Sequence, residues 1–165
     1  MAAHERIFVG VGANLGDAAA SVRAALVQLG EMSGTSLVAA SGLYSSAPLD
    51  AAGPAYVNAV AELRSALEPA DLLAQLHALE QRFGRLRPHR HAPRTLDLDL
   101  LFHGERRLGG PALTVPHPRA HQRAFVLAPL AELAPSWRLT DGRTAAEALA
   151  ALAANPAQRT ERIPP

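Results

Sequence analysis

The chain has 165 residues, 48% of them hydrophobic and 19% charged, with a formal net charge of +1; it is long enough for a core of its own, too apolar to be disordered, and carries no overall field to draw it to nucleic acid or a membrane surface. It has no cysteine, which excludes disulfides, thiol catalysis and thiolate–metal sites, and all 16 basic residues are arginine, which excludes a P-loop lysine, a lysine base and a Schiff base. Any anion site must therefore use guanidinium forks, histidines or backbone N–H groups.

In chain order, ERIFVGVG (5–12) is a short apolar run ending in glycines, a strand. A helical pattern runs from Asp17 to Leu29, with Val22, Leu26 and Leu29 on one face and Gly30 as its stop. Residues 35–43 form a second strand, and 44–54, rich in Ser, Pro and Gly, a loop. Tyr56 to Leu63 is a third strand. Pro69 opens a second helix, in which Leu72, Leu73, Leu76, Leu79 and Phe83 fall at helical spacing. An Arg/His/Pro loop (84–95) leads into a fourth strand, LDLD. The order β-α-β-β-α-β is that of an α+β, ferredoxin-like core. The remainder adds turns, a short hairpin and helices near 120–133 and 144–153. The whole chain, 1–165, reads as one domain whose tail, 155–165, is expected to fray. No apolar run approaches the roughly 20 residues of a membrane span, and no secretory signal opens the chain, so the expected location is cytoplasmic.

The segment RTLDLDLLF carries the clearest chemical signal. In a strand, residues i and i+2 share a face, so Asp97 and Asp99 stand side by side with Cα atoms about 6–7 Å apart. Five arginines (82, 85, 87, 90 and 94) precede them within 13 residues. A solvated basic face and a solvent-facing edge strand are the plain alternatives. The stretch is a loop, however, where function concentrates, and it runs directly into the acidic pair. Arginines attract phosphates and the aspartates repel them unless a cation intervenes. Mg²⁺ prefers carboxylate oxygens and shares its shell with substrate phosphates, and two carboxylates on one face can hold two such ions. The combination describes a polyphosphate clamp.

Three other segments give weaker signals. GVGANLG (10–16) resembles a dinucleotide fingerprint with one residue too many, and no acidic residue ends the next strand. It reads instead as a tight turn with Asp17 near a helix N-terminus, where Gly12 and Asn14 let backbone approach a ligand. In LTVPHPRAHQRAF, a helix starting after Pro118 would place Arg119 and Arg123 on one face. His117 and His121 lack the further ligands that zinc needs. In YVN, Tyr56 and Asn58 point to one strand face, a ring beside an amide, which suits a flat heterocycle or simply a packed core.

RHAPRTLDLDLLF resembles the signature of the 6-hydroxymethyl-7,8-dihydropterin pyrophosphokinase family: Arg90, Ala92, Pro93, Arg94, Asp97, Asp99, Leu100 and Leu101 all fit it. GANLGD, YSSAPLD, AYVNAV, LEQRFGRLR and LTVPHPRAHQRAFVLAPLAEL are similar to further segments of that family. The resemblance implies that ATP and hydroxymethyldihydropterin are the substrates, and that Asp97 and Asp99 hold two Mg²⁺ ions on ATP. It implies that Arg85 and Arg94 steady the transferring group, while Glu80, Arg87, Arg90, His117 and Arg123 serve ATP. Tyr56 and Phe125 would sandwich the pterin, Asn58 would hydrogen-bond its edge, and Ser46, Pro48 and Leu49 would supply other contacts. The chain departs from some members in having Ser46-Ala47-Pro48 for Thr-Pro-Pro, and His77, His91 and Pro118 for other residues. The implied protein is a monomer acting on small molecules, with neither nucleic acid nor membrane as partner. Its rivals are a ferredoxin-like regulatory module, which AMP production would eliminate, and an RNA-binding sheet, which needs aromatic residues where LDLD offers carboxylates.

Overall fold

A computed structural model gives the fold and describes residues 5–14, 16–46, 55–84 and 96–164. In order, the elements are β1 (Glu5–Ala13), α1 (Ala18–Gly30), β2 (Thr35–Ala40), β3 (Tyr44–Ser46), β4 (Tyr56–Ser65), α2 (Pro69–Gly84), β5 (Asp97–His103), α3 (Ala124–Leu133), α4 (Ala145–Leu152) and β6 (Thr160–Arg162), with 3-10 turns at Ala120–Gln122 and Pro156–Gln158. The class is α+β, as expected. Asp17 caps α1 by accepting the Ala20 N–H at 3.1 Å, and Thr144 and Glu147 form a reciprocal capping box on α4.

β1 lies between β4 and β5 and is antiparallel to both. β4 also separates β1 from β2, which ends the dinucleotide-binding reading of GVGANLG, since that needs adjacent parallel strands joined by the helix. β2 and β3 share the far edge of β4: β2 pairs with its end at 61–65 and β3 with its start at 56–58. β6 extends the sheet beyond β3.

The back face buries Ile7, Val9, Val11, Ala59, Ala61, Leu63, Leu98 and Leu100 against Val22, Leu26 and Leu29 of α1 and Leu72, Leu76 and Leu79 of α2. The front face buries Phe8, Val60, Leu101 and Phe102 under α3 and α4. The β1–β5 register shifts between Phe8 and Val9. This bulge turns both Leu101 and Phe102 to the front, which accounts for the run LLF breaking the alternation of LDLD.

Four expectations need correction. The second strand stops at Ala40, not residue 43, because Ser41 takes over the pairing: its Oγ accepts the Val60 N–H, and the Gly42 N–H turns to Glu132. Residues 44–46, expected as loop, are β3. The helix expected near 120–133 is a 3-10 turn followed by α3, so Arg119 and Arg123 flank the turn and are not on a helix face. The tail expected to fray carries a 3-10 turn and β6, held by pairing to β3.

Candidate active site

On β5, exposed Asp97 and Asp99 alternate with buried Leu96, Leu98 and Leu100. They face Gly12 and Gly10 across β1, so no side chain of that strand stands beside them. Two exposed charges about 6–7 Å apart in water repel by less than about 1 kcal/mol. Burying each leucine contributes roughly 1.5–3 kcal/mol. The leucines therefore fix the strand and hold the like charges on its open side. Glu80, near the end of α2, accepts the Leu98 N–H at 2.8 Å. It thus occupies the backbone donor between the two aspartates on the outer edge of β5.

Half-buried His117 lies against the same strand. Its N–H donates to the Leu101 carbonyl at 2.9 Å, and its Nδ1 accepts the Arg119 N–H at 3.2 Å. Burial pushes the imidazole below its ordinary pKa; the Asp99 charge opposes that shift, and Arg123 and Arg119 add to it. One imidazole and two guanidinium groups thus share a neighbourhood with the Asp99 carboxylate; the three can donate to an anion, while the carboxylate would repel it unless a cation came between. Arg123 also lies over the Phe125 ring, 5.4 Å from its centroid.

On the other side of β1, Asn58 is buried and donates through Nδ2 to Ser46 Oγ at 3.0 Å. Gly12 makes this possible: a Cβ there would sit 2.8 Å from Asn58 Oδ1. The expectation that Gly12 lets backbone approach a ligand is thus refined, since it is the Asn58 amide that occupies the space. Tyr56, half-buried, shares the front face with Asn58, two residues along β4.

Of the sequence candidates, the structure gathers Asp99, His117 and Arg123 in one place, sets Glu80 behind Asp97 and Asp99, and joins Ser46 to Asn58. Pro48, Leu49, Arg85, Arg87, Arg90 and Arg94 lie outside the described residues, as does His91. Sequence reasoning missed Tyr44, whose hydroxyl donates to Glu132 at 2.6 Å; no local signal marked it, because residues 44–46 have loop composition. A depression of about 670 Å³ at the other end of the front face is lined by Arg6, Phe102, Arg107, Trp137 and Arg138 and by none of the candidates.

Paired carboxylates on an open edge fit Mg²⁺, which takes one or two of them and completes its shell with water and phosphate. Among the described residues, no group of three or more His, Asp or Glu side chains is placed to hold a metal ion. Carboxylates stand on one side of the glycines of β1 and a fixed amide on the other, where an RNA-binding sheet would present aromatic residues.

Comparison with known proteins gives the family. The family model for 7,8-dihydro-6-hydroxymethylpterin-pyrophosphokinase (HPPK) matches residues 8–135. The chain is 48% identical over 161 residues to a 2-amino-4-hydroxy-6-hydroxymethyldihydropteridine pyrophosphokinase of Pseudomonas aeruginosa, covering 97% of this chain and 98% of the relative. It is 41% identical over 128 residues to the protein of that name from Haemophilus influenzae, covering 77% and 80%. It is 33% identical over 131 residues to a folic acid synthesis protein of Pneumocystis carinii, covering 79% of this chain and 18% of the relative. The chain belongs to the HPPK family.

Proposed function

We propose that the open half of the front face is the active site, with ATP phosphates at the β5 side and the pterin at the β3–β4 side. The chain is an ATP-dependent pyrophosphokinase of folate biosynthesis: it transfers pyrophosphate from ATP to 6-hydroxymethyl-7,8-dihydropterin, giving the pterin diphosphate and AMP. The observation that carries the placement is a single row across three strands, Asp97–Gly12–Asn58. With neighbouring strands about 4.8 Å apart, the carboxylate and the amide are separated by roughly 10 Å. That is about the reach of a bicyclic ring with its hydroxymethyl arm.

In this reading Asn58, oriented by Ser46, hydrogen-bonds the pterin edge, Tyr56 and Phe125 stack on its ring, and Pro48 and Leu49 complete the pocket. The hydroxymethyl oxygen forms a bond to the β-phosphorus of ATP, the bond from that phosphorus to the oxygen of AMP breaks, and the hydroxyl proton is lost. His117 and Arg123 bind the phosphate chain, with Arg87 and Arg90 on the nucleotide side. Arg85 and Arg94 steady the group in transfer, where guanidinium forks match phosphoryl oxygens. Glu80 braces the β5 edge behind the nucleotide. Asp97 and Asp99 would hold Mg²⁺, two ions in our reading, which when bound neutralises charge on the phosphoryl oxygens. The rest of catalysis is positioning. The substrates are small molecules. No helix among the described residues is long and apolar enough to cross a membrane. We place the enzyme in the cytoplasm, as a monomer acting without nucleic acid or membrane.

The test is incubation with Mg²⁺-ATP and hydroxymethyldihydropterin, resolving AMP from ADP. AMP is expected, and ADP as the product would mean simple phosphoryl transfer.

A further inference from the structure

The family match ends at residue 135, yet the last residues of the chain touch both walls of the pterin side. Gln158 Oε1 accepts the N–H of Ala124, the first residue of α3, at 3.0 Å; its neighbours are Arg123 and Phe125. Two residues on, the chain becomes β6 and pairs with β3: Thr160 opposite Ser46, Glu161 opposite Ser45, Arg162 opposite Tyr44. The Thr160 hydroxyl donates to the Ser45 carbonyl at 3.2 Å, and the Ile163 N–H to the Leu43 carbonyl at 2.8 Å.

A side-chain relay runs the same way. Glu132 of α3 accepts the Gly42 N–H at 3.0 Å and the Tyr44 hydroxyl at 2.6 Å. Arg162 Nη2 lies 3.9 Å from the same carboxylate. Its guanidinium rests on bare backbone, since a Cβ on Gly42 would sit 2.6 Å from Arg162 Nε. The Arg162 side chain is 62% exposed, so the ion pair adds little stability. What these contacts fix is geometry: Glu132 ties the C-terminal end of α3 to β3, which carries Ser46, and Gln158 ties the tail to the start of α3, next to Phe125, so together they set how α3 lies against β3.

We infer that residues 158–163 form a clasp that positions the two walls of the pterin site, with Gln158 acting on α3 and Arg162 acting on β3 through Glu132 and Tyr44. The inference rests on the reading of Ser46, Asn58 and Phe125 as pterin contacts. Gln158 and Arg162 touch no substrate in it; they are positioning residues.

The test uses full-length variants Gln158→Ala, Arg162→Ala and their double, with Asn58→Ala as reference. Pterin affinity is measured in the presence of a non-hydrolysable ATP analogue, beside nucleotide affinity, kcat, pterin KM and melting temperature. Gln158→Ala should raise the pterin Kd and KM roughly three- to tenfold, the scale of one lost hydrogen bond, and Arg162→Ala, which loses an exposed ion pair, roughly two- to fivefold. Nucleotide affinity and kcat at saturating pterin should stay within about twofold, the pattern of a ground-state effect. Gln158→Glu, which keeps the acceptor, should restore pterin affinity. Unchanged pterin affinity in the double variant, with Asn58→Ala losing it, overturns the clasp and leaves the site standing. Unchanged affinity in Asn58→Ala overturns the site assignment and the clasp with it. Parallel loss of pterin and nucleotide affinity with a lowered melting temperature makes the tail a general stabiliser and also overturns the clasp.

Discussion

The two halves of the front face are built from the same three strands and behave oppositely. In one half, Phe8 of β1 and Phe102 of β5 meet Trp137 edge-on, with ring centroids 4.9 and 5.7 Å from the indole, beneath α3 and α4. In the other, two and four residues further along β1, the same face presents Gly10 and Gly12, and β5 presents Asp99 and Asp97. Large rings stand where helices cover the sheet, and glycine and carboxylate stand where they do not. Removing side chains from the central strand leaves room for the Asn58 amide and clears the flank of the aspartates. The covered half supplies the rigidity on which the open half relies.

The largest effect should come from the open half. Asp97→Ala or Asp99→Ala should fold, because the side chains are exposed and buried Leu98 and Leu100 hold the strand. Turnover should fall on the order of a thousandfold or more, since charge neutralisation and alignment are lost together. Near-normal steady-state turnover in either variant would break the contrast. Phe8→Ala should do the reverse. It should cost about 3–5 kcal/mol of stability by denaturant unfolding, while the remaining folded enzyme keeps its substrate affinities. Gly12→Ala should sharpen the comparison at the boundary. The new methyl must displace the Asn58 amide from Ser46, so pterin affinity should drop roughly tenfold, the scale of a lost buried hydrogen bond. An unchanged pterin Kd by calorimetry would mean that the Asn58–Ser46 pair does not read the ring.

How much of this was legible depends on distance along the chain. The alternation of LDLD is local, and it was enough to place both aspartates and the leucine anchor. Helices α1 and α2 were equally plain from apolar spacing and from Asp17 and Pro69. β3 was not: Tyr44-Ser45-Ser46 has loop composition and is a strand only because β4 and β6 flank it. β6 was hidden for the same reason, since Thr160 and its partner Ser46 are far apart in sequence. The Ser46–Asn58 pair was readable as two separate candidates through the family resemblance. The Gly12 space that lets Asn58 sit there depends on the register of β1 against β4, which no local pattern reveals.

The smallest predicted effect lies at Tyr44. Burial first, then the hydrogen bond to Glu132 and that carboxylate's charge, push its phenol up to about 12, against an opposing effect of Arg162. An unfolded tyrosine ionises near 10. Its contribution to stability is therefore present below about pH 10 and lost as pH rises towards 12, where the unfolded chain binds fewer protons than the folded one. The stability difference between the parent and Tyr44→Phe should shrink across that window in chemical denaturation. A constant difference would show that Tyr44 is not held in this way.

The central claim is the division of the open half into a phosphate side and a pterin side. It is tested most directly by measuring both ligands on both variants: pterin alone, and Mg²⁺ with a non-hydrolysable ATP analogue, titrated by calorimetry into Asp99→Ala and Asn58→Ala. The expected result is crossed: Asp99→Ala loses the nucleotide and keeps the pterin, and Asn58→Ala loses the pterin and keeps the nucleotide. Equal weakening of both ligands in both variants would contradict it.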